Sequence, residues 1–311
     1  MGRTLYFAKI NINDERIFDI YKGNINKNQI LDKMFIKIKD GIQYENKQTK
    51  KLDDGTIKEY DSKYTLSYIN KLSEDVTDVM VGAIIKESKI FLKEINKKNG
   101  EVEWRAVPYE EIVRFCLYPR KECVAFYRAN RFGYVEFYKV FEELLNKCFK
   151  DEKEKSNFKV TLLHKGININ SLKNELNKIK NIESLKFEII PPNVDDELLD
   201  EIEKDAEKEL DEMSKGNITN KSIVFQSKSK EGLNIKARLI EKEIERAGKI
   251  HSKLSDEEAF HKGYVSVEAR ASNGRTYSTK DAEPIKYTIP DNIDGDNEFA
   301  KECRERIIII I

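Results

Sequence analysis

The sequence is poor in the residues from which common catalytic and metal-binding motifs are built. Its 311 residues hold four cysteines and three histidines. Cys116, Cys123, Cys148 and Cys303 form no C-x-x-C pair, and His164, His251 and His261 are scattered. No zinc spacing results, and no metal site is expected. So few unpaired cysteines fit a reducing cytoplasm. The glycines are dispersed at turns, with no G-x-x-x-x-G-K-[ST] and no G-x-G-x-x-G. That argues against the common ATPases and dinucleotide enzymes, and no cofactor is expected. A G-x-S-x-G elbow and an H-E-x-x-H helix are also missing. No apolar run reaches the roughly 18 residues of a membrane span. Met1-Gly2-Arg3 leads into a strand-like segment without the apolar core of a signal peptide, so a cytoplasmic location is expected. Net charge is absent too, since 56 Lys+Arg balance 56 Asp+Glu. A protein basic over its whole surface, built to coat nucleic acid, is thereby excluded.

What is present is a wet but globular chain. Charged residues make up 36%, and 10% aromatics is too many for disorder. The length exceeds the roughly 100–150 residues of a usual single core, so one large or two modest domains are expected. The patterning predicts an α+β protein: a β-rich domain over 1–150 closed by a helix, then a mixed, βαβ-containing domain over 157–311. The all-polar segment 150–156 is the expected linker.

In the first half, Thr4–Ile12 reads as a strand and 26–34 as a short helix. Residues 40–63 read as a loop or an exposed hairpin, with Gly41 and Asp54-Gly55 as turn signals. Tyr64–Ile69 is a strand. Val76–Ile85 and Lys89–Ile95 read as a hairpin turning at Lys86-Glu87-Ser88. A turn at Lys97–Gly100 and a strand over Glu101–Val107 follow. Ile112–Tyr118 and Cys123–Arg128 read as antiparallel strands about a Pro119-Arg120-Lys121 turn. Tyr134–Phe149 has the apolar spacing of a helix with one buried face.

In the second half, strand Phe158–His164, helix Ser171–Ile182 and strand Leu185–Ile190 suggest a βαβ unit with a parallel pair. Ser171 is the expected N-cap, without a full capping box. Pro191-Pro192 stops the last strand. A helix over about 195–213, a strand at 222–227, a helix over 235–250, a hairpin about Ser272-Asn273-Gly274 and a strand at 285–289 complete the reading. Ile307–Ile311 is five β-branched residues in a row. Burying each isoleucine is worth about 1.5–3 kcal/mol, so a docking groove in the chain or in a second copy is expected, and with it a homo-oligomer.

The zero net charge hides a dipolar chain. Between Asp195 and Glu212, eleven acids face two lysines. Such a run is usually a solvated face, but it also suits docking of a basic partner or a flap over a basic groove that restrains binding. Directly after it, Lys215, Lys221, Lys228, Lys230, Lys236 and Arg238 face only Glu231. Positive segments rich in Ser, Asn and Gln suit phosphate contacts without base reading. A second candidate is Tyr118–Tyr134, where Arg120, Lys121, Arg128 and Arg131 alternate with aromatics, as in stacking or phosphate-clamping surfaces. Glu268-Ala269-Arg270 is the closest fragment to a metal-dependent nuclease motif, with Arg where Lys is required. The Asp291–Glu298 loop misses calcium-loop spacing.

The order of elements then resembles a known group. A strand, the turn within Tyr127-Arg128-Ala129-Asn130-Arg131-Phe132-Gly133, and an aromatic helix span Cys123–Leu145. A βαβ half containing Leu185–Pro192 and a late basic hairpin region follow. This layout, over about 64–290, resembles prokaryotic anti-phage proteins of the RexA/KwaB type. The resemblance implies a DNA-binding subunit of an exclusion system acting with a co-encoded, membrane-associated partner. It carries over no functional residue. The Lys- and Asn-rich composition fits an AT-rich bacterial or phage genome. The expected function is non-specific nucleic-acid binding. Its rivals are a metal-dependent nuclease and a protein-interaction subunit docking through the acidic helix.

Overall fold

The computed structural model describes residues 2–74, 77–95, 100–150, 157–193, 206–247, 255–293 and 295–310. The chain divides into two compact units that interleave in sequence. The first comprises Met1–Leu5, Asp32–Lys155 and Tyr287–Ile311; the second comprises Tyr6–Leu31 and Ser156–Lys286. Strand β1 (Gly2–Ile12) and helix α2 (Lys27–Lys37) therefore each straddle the division, while helix α1 (Arg16–Tyr21) lies wholly in the second unit.

The first unit is built on an antiparallel meander. Its strands are β2 (Gln43–Lys51), β3 (Ile57–Glu74), β4 (Thr77–Ile95), β5 (Val102–Tyr118) and β6 (Cys123–Tyr127), neighbours in sheet order as in sequence. The segment 40–63 is thus the hairpin of its two expected forms, with Gln43 opposite Thr65 and Lys51 opposite Ile57. The expected hairpin at Lys86-Glu87-Ser88 is corrected: β4 runs straight through it, pairing with β5 from Met80↔Leu117 to Ile95↔Val102. The two strands expected at 101–107 and 112–118 are likewise one, β5. The expected turn at 97–99 lies outside the described residues.

Helix α3 (Tyr134–Cys148) closes one face of this sheet, as its spacing predicts. It buries Phe137, Val140, Phe141, Leu144 and Leu145. Phe137 stacks on Phe126 at 3.9 Å, and Phe141 meets Phe115 edge-on at 5.2 Å. These four fully buried rings in contact contribute a large apolar stabilisation to this corner. The carboxy-terminal helix (Asp296–Ile310) is pinned to the sheet by Arg114, which bonds Asp296 at 2.7 Å and lies over Phe299. Ile307–Ile310 of the isoleucine run continue this helix. Ile307 is buried, whereas Ile308 and Ile309 are exposed.

In the second unit β7 (Phe158–Leu162) pairs antiparallel with the inner part of β1, from Ala8↔Leu162 to Ile12↔Phe158. A separate sheet has the order β11-β10-β8-β9, formed by β8 (Ile182–Ile189), β9 (Lys221–Gln226), β10 (Val265–Ala271) and β11 (Thr276–Ser278). The succession β7, α4 (Ile169–Asn177), β8 has strand–helix–strand order, but its strands are not neighbours and no parallel pair forms between them. β7 goes to β1, while β8 and α4 share one core with Leu172, Leu176, Leu185 and Phe187. The helix start is also corrected. Asn168 is the N-cap, and Ser171, expected there, is the third residue of a complete capping box.

Helix α5 (Ala206–Lys215) carries the end of the acidic run; residues 194–205 lie outside the described residues, as do 151–156 of the expected linker. Helix α6 (Arg238–Ala247) buries Ile240 and Ile244, and α7 (Asp256–His261) opens with a capping box on Ser255. β12 (Lys286–Pro290) is the expected last strand.

Candidate functional site

The loop between β6 and α3 projects charged side chains from a rigid base. Ala129 and Phe132 exchange backbone hydrogen bonds at 3.1 and 3.4 Å, a tight loop that leaves Asn130 and Arg131 at its exposed tip. Phe132 is fully buried beside Tyr64 and Phe137 and plugs the loop into the core. Beneath it lies Lys86, whose ammonium donates to the Arg131 carbonyl at 2.6 Å and to the Glu136 carboxylate at 2.8 Å. The Tyr64 hydroxyl donates to the same carboxylate at 2.5 Å. Burial, then that bond to Glu136, pushes the Tyr64 hydroxyl far above its ordinary pKa, so it acts as a donor at any working pH. A buried ion pair with every partner in place fixes geometry more than it adds stability.

Of the residues expected at this site, Arg128 is exposed and Arg131 lies over the Tyr109 ring at 5.3 Å. Arg120 is engaged in a fork with the Asp32 carboxylate at 3.0 and 3.3 Å. Lys121 is exposed with no ion pair among the described residues. Arg128 lines a cleft of about 530 Å³ with Arg3, Glu111, Tyr127, Ala129, Asn130 and Gly133. Sequence reasoning missed Arg3 and Glu111. Arg3 lies on another strand 125 positions away from Arg128 (128 minus 3), and no local pattern announces such a meeting.

The basic run after the acidic helix falls in the second unit. β9 alternates, with Ser222, Val224 and Gln226 exposed and Lys221 half-buried. Lys228, Lys230, Lys236 and Arg238 are exposed and have no ion pair among the described residues. The three lysines stand on a loop tied to β8, and Arg238 opens α6: Ser227 donates to the Glu183 carbonyl at 2.9 Å and Leu233 to that of Ile182 at 2.7 Å. Between them Gly232, at φ +76°, lies against the Asn181–Ile182 peptide. In the acidic helix, Lys215 bonds Asp211 at 2.6 Å and Glu212 at 3.3 Å, pairs within one helix.

A second polar centre, which sequence reading did not find, joins β8 and β10. The Glu188 carboxylate accepts from Asn220 at 3.0 Å, Lys280 at 2.9 Å and Ser266 at 3.3 Å, while Lys280 also reaches Glu268 at 3.4 Å. The void beside it is about 30 Å³, room for one water. Glu268, the acid of the nuclease-like fragment, is thus committed to Lys280, and Arg270 points to solvent. Among the described residues no three His, Cys, Asp or Glu side chains are placed to hold a metal.

Burial alone would raise the Glu188 carboxyl. Asn220 and Lys280 outweigh it and hold its pKa down to about 2, from an ordinary 4.5. On acidification the unfolded chain therefore takes this proton first. The contribution of the network is complete above pH 4.5 and drains away toward pH 2. Glu188→Gln is expected to shrink the loss of stability across that window by about 2 kcal/mol, since water at the partly exposed carboxylate screens some of the full effect. Denaturant titrations of both proteins along the acid limb check this; parallel limbs would refute it.

The buried thiols Cys116, Cys123 and Cys303 also gather in the first unit. Burial, then the hydrogen bond with Cys116, raises the Cys303 thiol well above its ordinary pKa. None of the four cysteines forms a disulfide. No helix among the described residues is long and apolar enough to cross a membrane. A family model described as a domain of unknown function, DUF4747, matches residues 3–307. No curated protein matches the chain.

Proposed function

Since the chain belongs to the DUF4747 family, whose description names no activity, we propose from its side chains that it binds nucleic acid without reading sequence, as a subunit of a phage-defence system. The observation that carries the reading is the state of Lys228, Lys230, Lys236 and Arg238. Several exposed cations elsewhere are partnered: Lys93 with Asp53, Arg105 with Glu94, Lys178 with Glu175, Lys286 with Glu283. These four have no carboxylate among the described residues, and they share one anchored segment. Unpartnered cations on a fixed backbone are available to phosphates at little reorganisation cost. The defence setting draws support from the resemblance over 64–290.

Binding of this kind releases counterions, roughly 0.9 for each duplex phosphate contacted. Replacing Lys228, Lys230 and Lys236 by Ala together is expected to weaken DNA retention. It should also reduce the slope of log affinity against log salt by about 2–3. A gel-shift series over several salt concentrations measures both. Wild-type affinity and slope in the triple variant would make this segment a solubility surface and end the proposal.

A further inference from the structure

The cleft of the first unit offers more than a charged surface. Arg3 is held in place from two sides: its guanidinium lies 5.3 Å over the Tyr127 ring, and its Nε stands 3.9 Å from Asp291. Arg128 enters from the end of β6 at Tyr127, with no ion pair among the described residues, and Asn130 from the loop tip. Gly133, on the same wall, is the N-cap of α3 and supplies no side-chain cap to that 15-residue helix. Guanidinium forks match phosphate oxygens two at a time, and a helix start adds partial positive charge beside them.

Glu111 gives the cleft a second character. A carboxylate among arginines repels a ligand that is anionic all over and accepts from a hydroxyl or amino group. The ligand should therefore carry a phosphate at one end and a hydrogen-bond donor at the other. At about 530 Å³ the cleft exceeds what a bare phosphate needs and falls in the roughly 300–1,000 Å³ range of small-ligand pockets. A nucleotide has that combination of size and groups.

We infer that this cleft takes the terminal nucleotide of a phosphorylated nucleic-acid strand, with the phosphate on Arg3 and Arg128 and a sugar hydroxyl or base amino group on Glu111. A terminal phosphomonoester carries about −1.5 to −2 charge and three equivalent oxygens, against one charge and two free oxygens for an internal diester, so two arginines discriminate between them. Asn130, with both donor and acceptor, serves either end. The inference rests on the nucleic-acid reading, which places the strand within reach of the protein.

The test compares short single-stranded oligonucleotides with a 5′-phosphate, a 3′-phosphate or neither, by fluorescence anisotropy. The wild type is expected to bind one phosphorylated form about tenfold more tightly than the unphosphorylated one, the value of one charge-assisted contact. Arg128→Gln, an exposed substitution whose folding a thermal melt verifies, is expected to reduce that preference to within about twofold. Asn130→Ala should reduce it in part. The Lys228, Lys230, Lys236 triple variant should weaken all three oligonucleotides alike and keep the ratio. Equal wild-type affinity for all three would overturn the inference and leave nucleic-acid binding standing. A preference that survives Arg128→Gln overturns the assignment to this cleft. Binding of a nucleoside monophosphate without binding of any oligonucleotide would overturn both readings.

Discussion

Replacing Lys86 by methionine is expected to destabilise the protein by about 3 kcal/mol. The methionine keeps the length and apolar stem of lysine but removes the ammonium. Glu136 then loses its counter-charge, and the Arg131 carbonyl loses its donor. Breaking one side of a buried pair typically costs about 3–5 kcal/mol; the lower figure applies because 27% of the Glu136 side chain remains in contact with water. Urea denaturation measures the loss. Removing both charges, as in Lys86→Met with Glu136→Leu, should recover part of it, since an apolar pair leaves nothing unsatisfied. A single-variant loss below about 1 kcal/mol would mean that the pair behaves as a surface ion pair. A structural consequence accompanies the energetic one. Amides 129–133 should exchange hydrogen faster in the single variant, because the ammonium no longer holds the loop from below.

Gly232→Ala is the second large effect, again expected at about 3 kcal/mol. Two costs add. The backbone sits at φ +76°, where an L-residue is strained by about 1–3 kcal/mol. A Cβ would also lie 2.6 Å from the carbonyl carbon of Asn181 and the nitrogen of Ile182, backbone atoms fixed within the β8 sheet. Such an overlap typically costs a further 1–3 kcal/mol or so. Gly274→Ala is the control. Its φ is +82°, but nothing lies within 4 Å of the added carbon, so only the conformational cost applies. Thermal melts of both variants separate the two terms. Equal losses would show that the loop shifts freely off β8. The basic segment would then lack the anchored backbone on which its availability to phosphates depends.

The elements that were misread in sequence were misread for a physical reason. Lys86-Glu87-Ser88 has the polarity of a turn, yet Lys86 and Ser88 are buried: one faces Glu136, the other bonds Ser62 at 2.6 Å. Side chains that find partners across the sheet abolish the polarity signal on which strand boundaries rest. The α4 start was displaced by three residues because Asn168 and Ser171 are both good caps, and only geometry tells the cap from its reciprocal partner. The β7–β8 parallel pair was inferred from element order alone, which does not reveal that β1 supplies a partner. Where burial is apolar the reading succeeded. The spacing over Tyr134–Phe149 located α3, and the Ser272-Asn273-Gly274 turn located the β10–β11 hairpin. Arg128 and Arg131 were legible as part of a basic–aromatic segment. The meeting of Arg128 with Arg3 and Glu111, and that of Lys86 with Glu136, depend on contacts between distant strands that no local pattern encodes.

The interleaving of the two units sets a schedule for synthesis. As the chain leaves the ribosome, residues 6–31 appear early but wait for 156–286 before their unit can close, and residues 32–155 wait for 287–311. The simple order in which an amino-terminal domain folds while the next is being made does not apply. Long-range pairings such as Ile10↔Val160 must be reached across more than a hundred intervening residues, and loop closure over such distances slows folding. The long, highly β-structured meander of the first unit is meanwhile without its closing segment. Nascent chains should therefore engage chaperones until residues 287–311 have emerged, and expression at lower temperature should favour the native product.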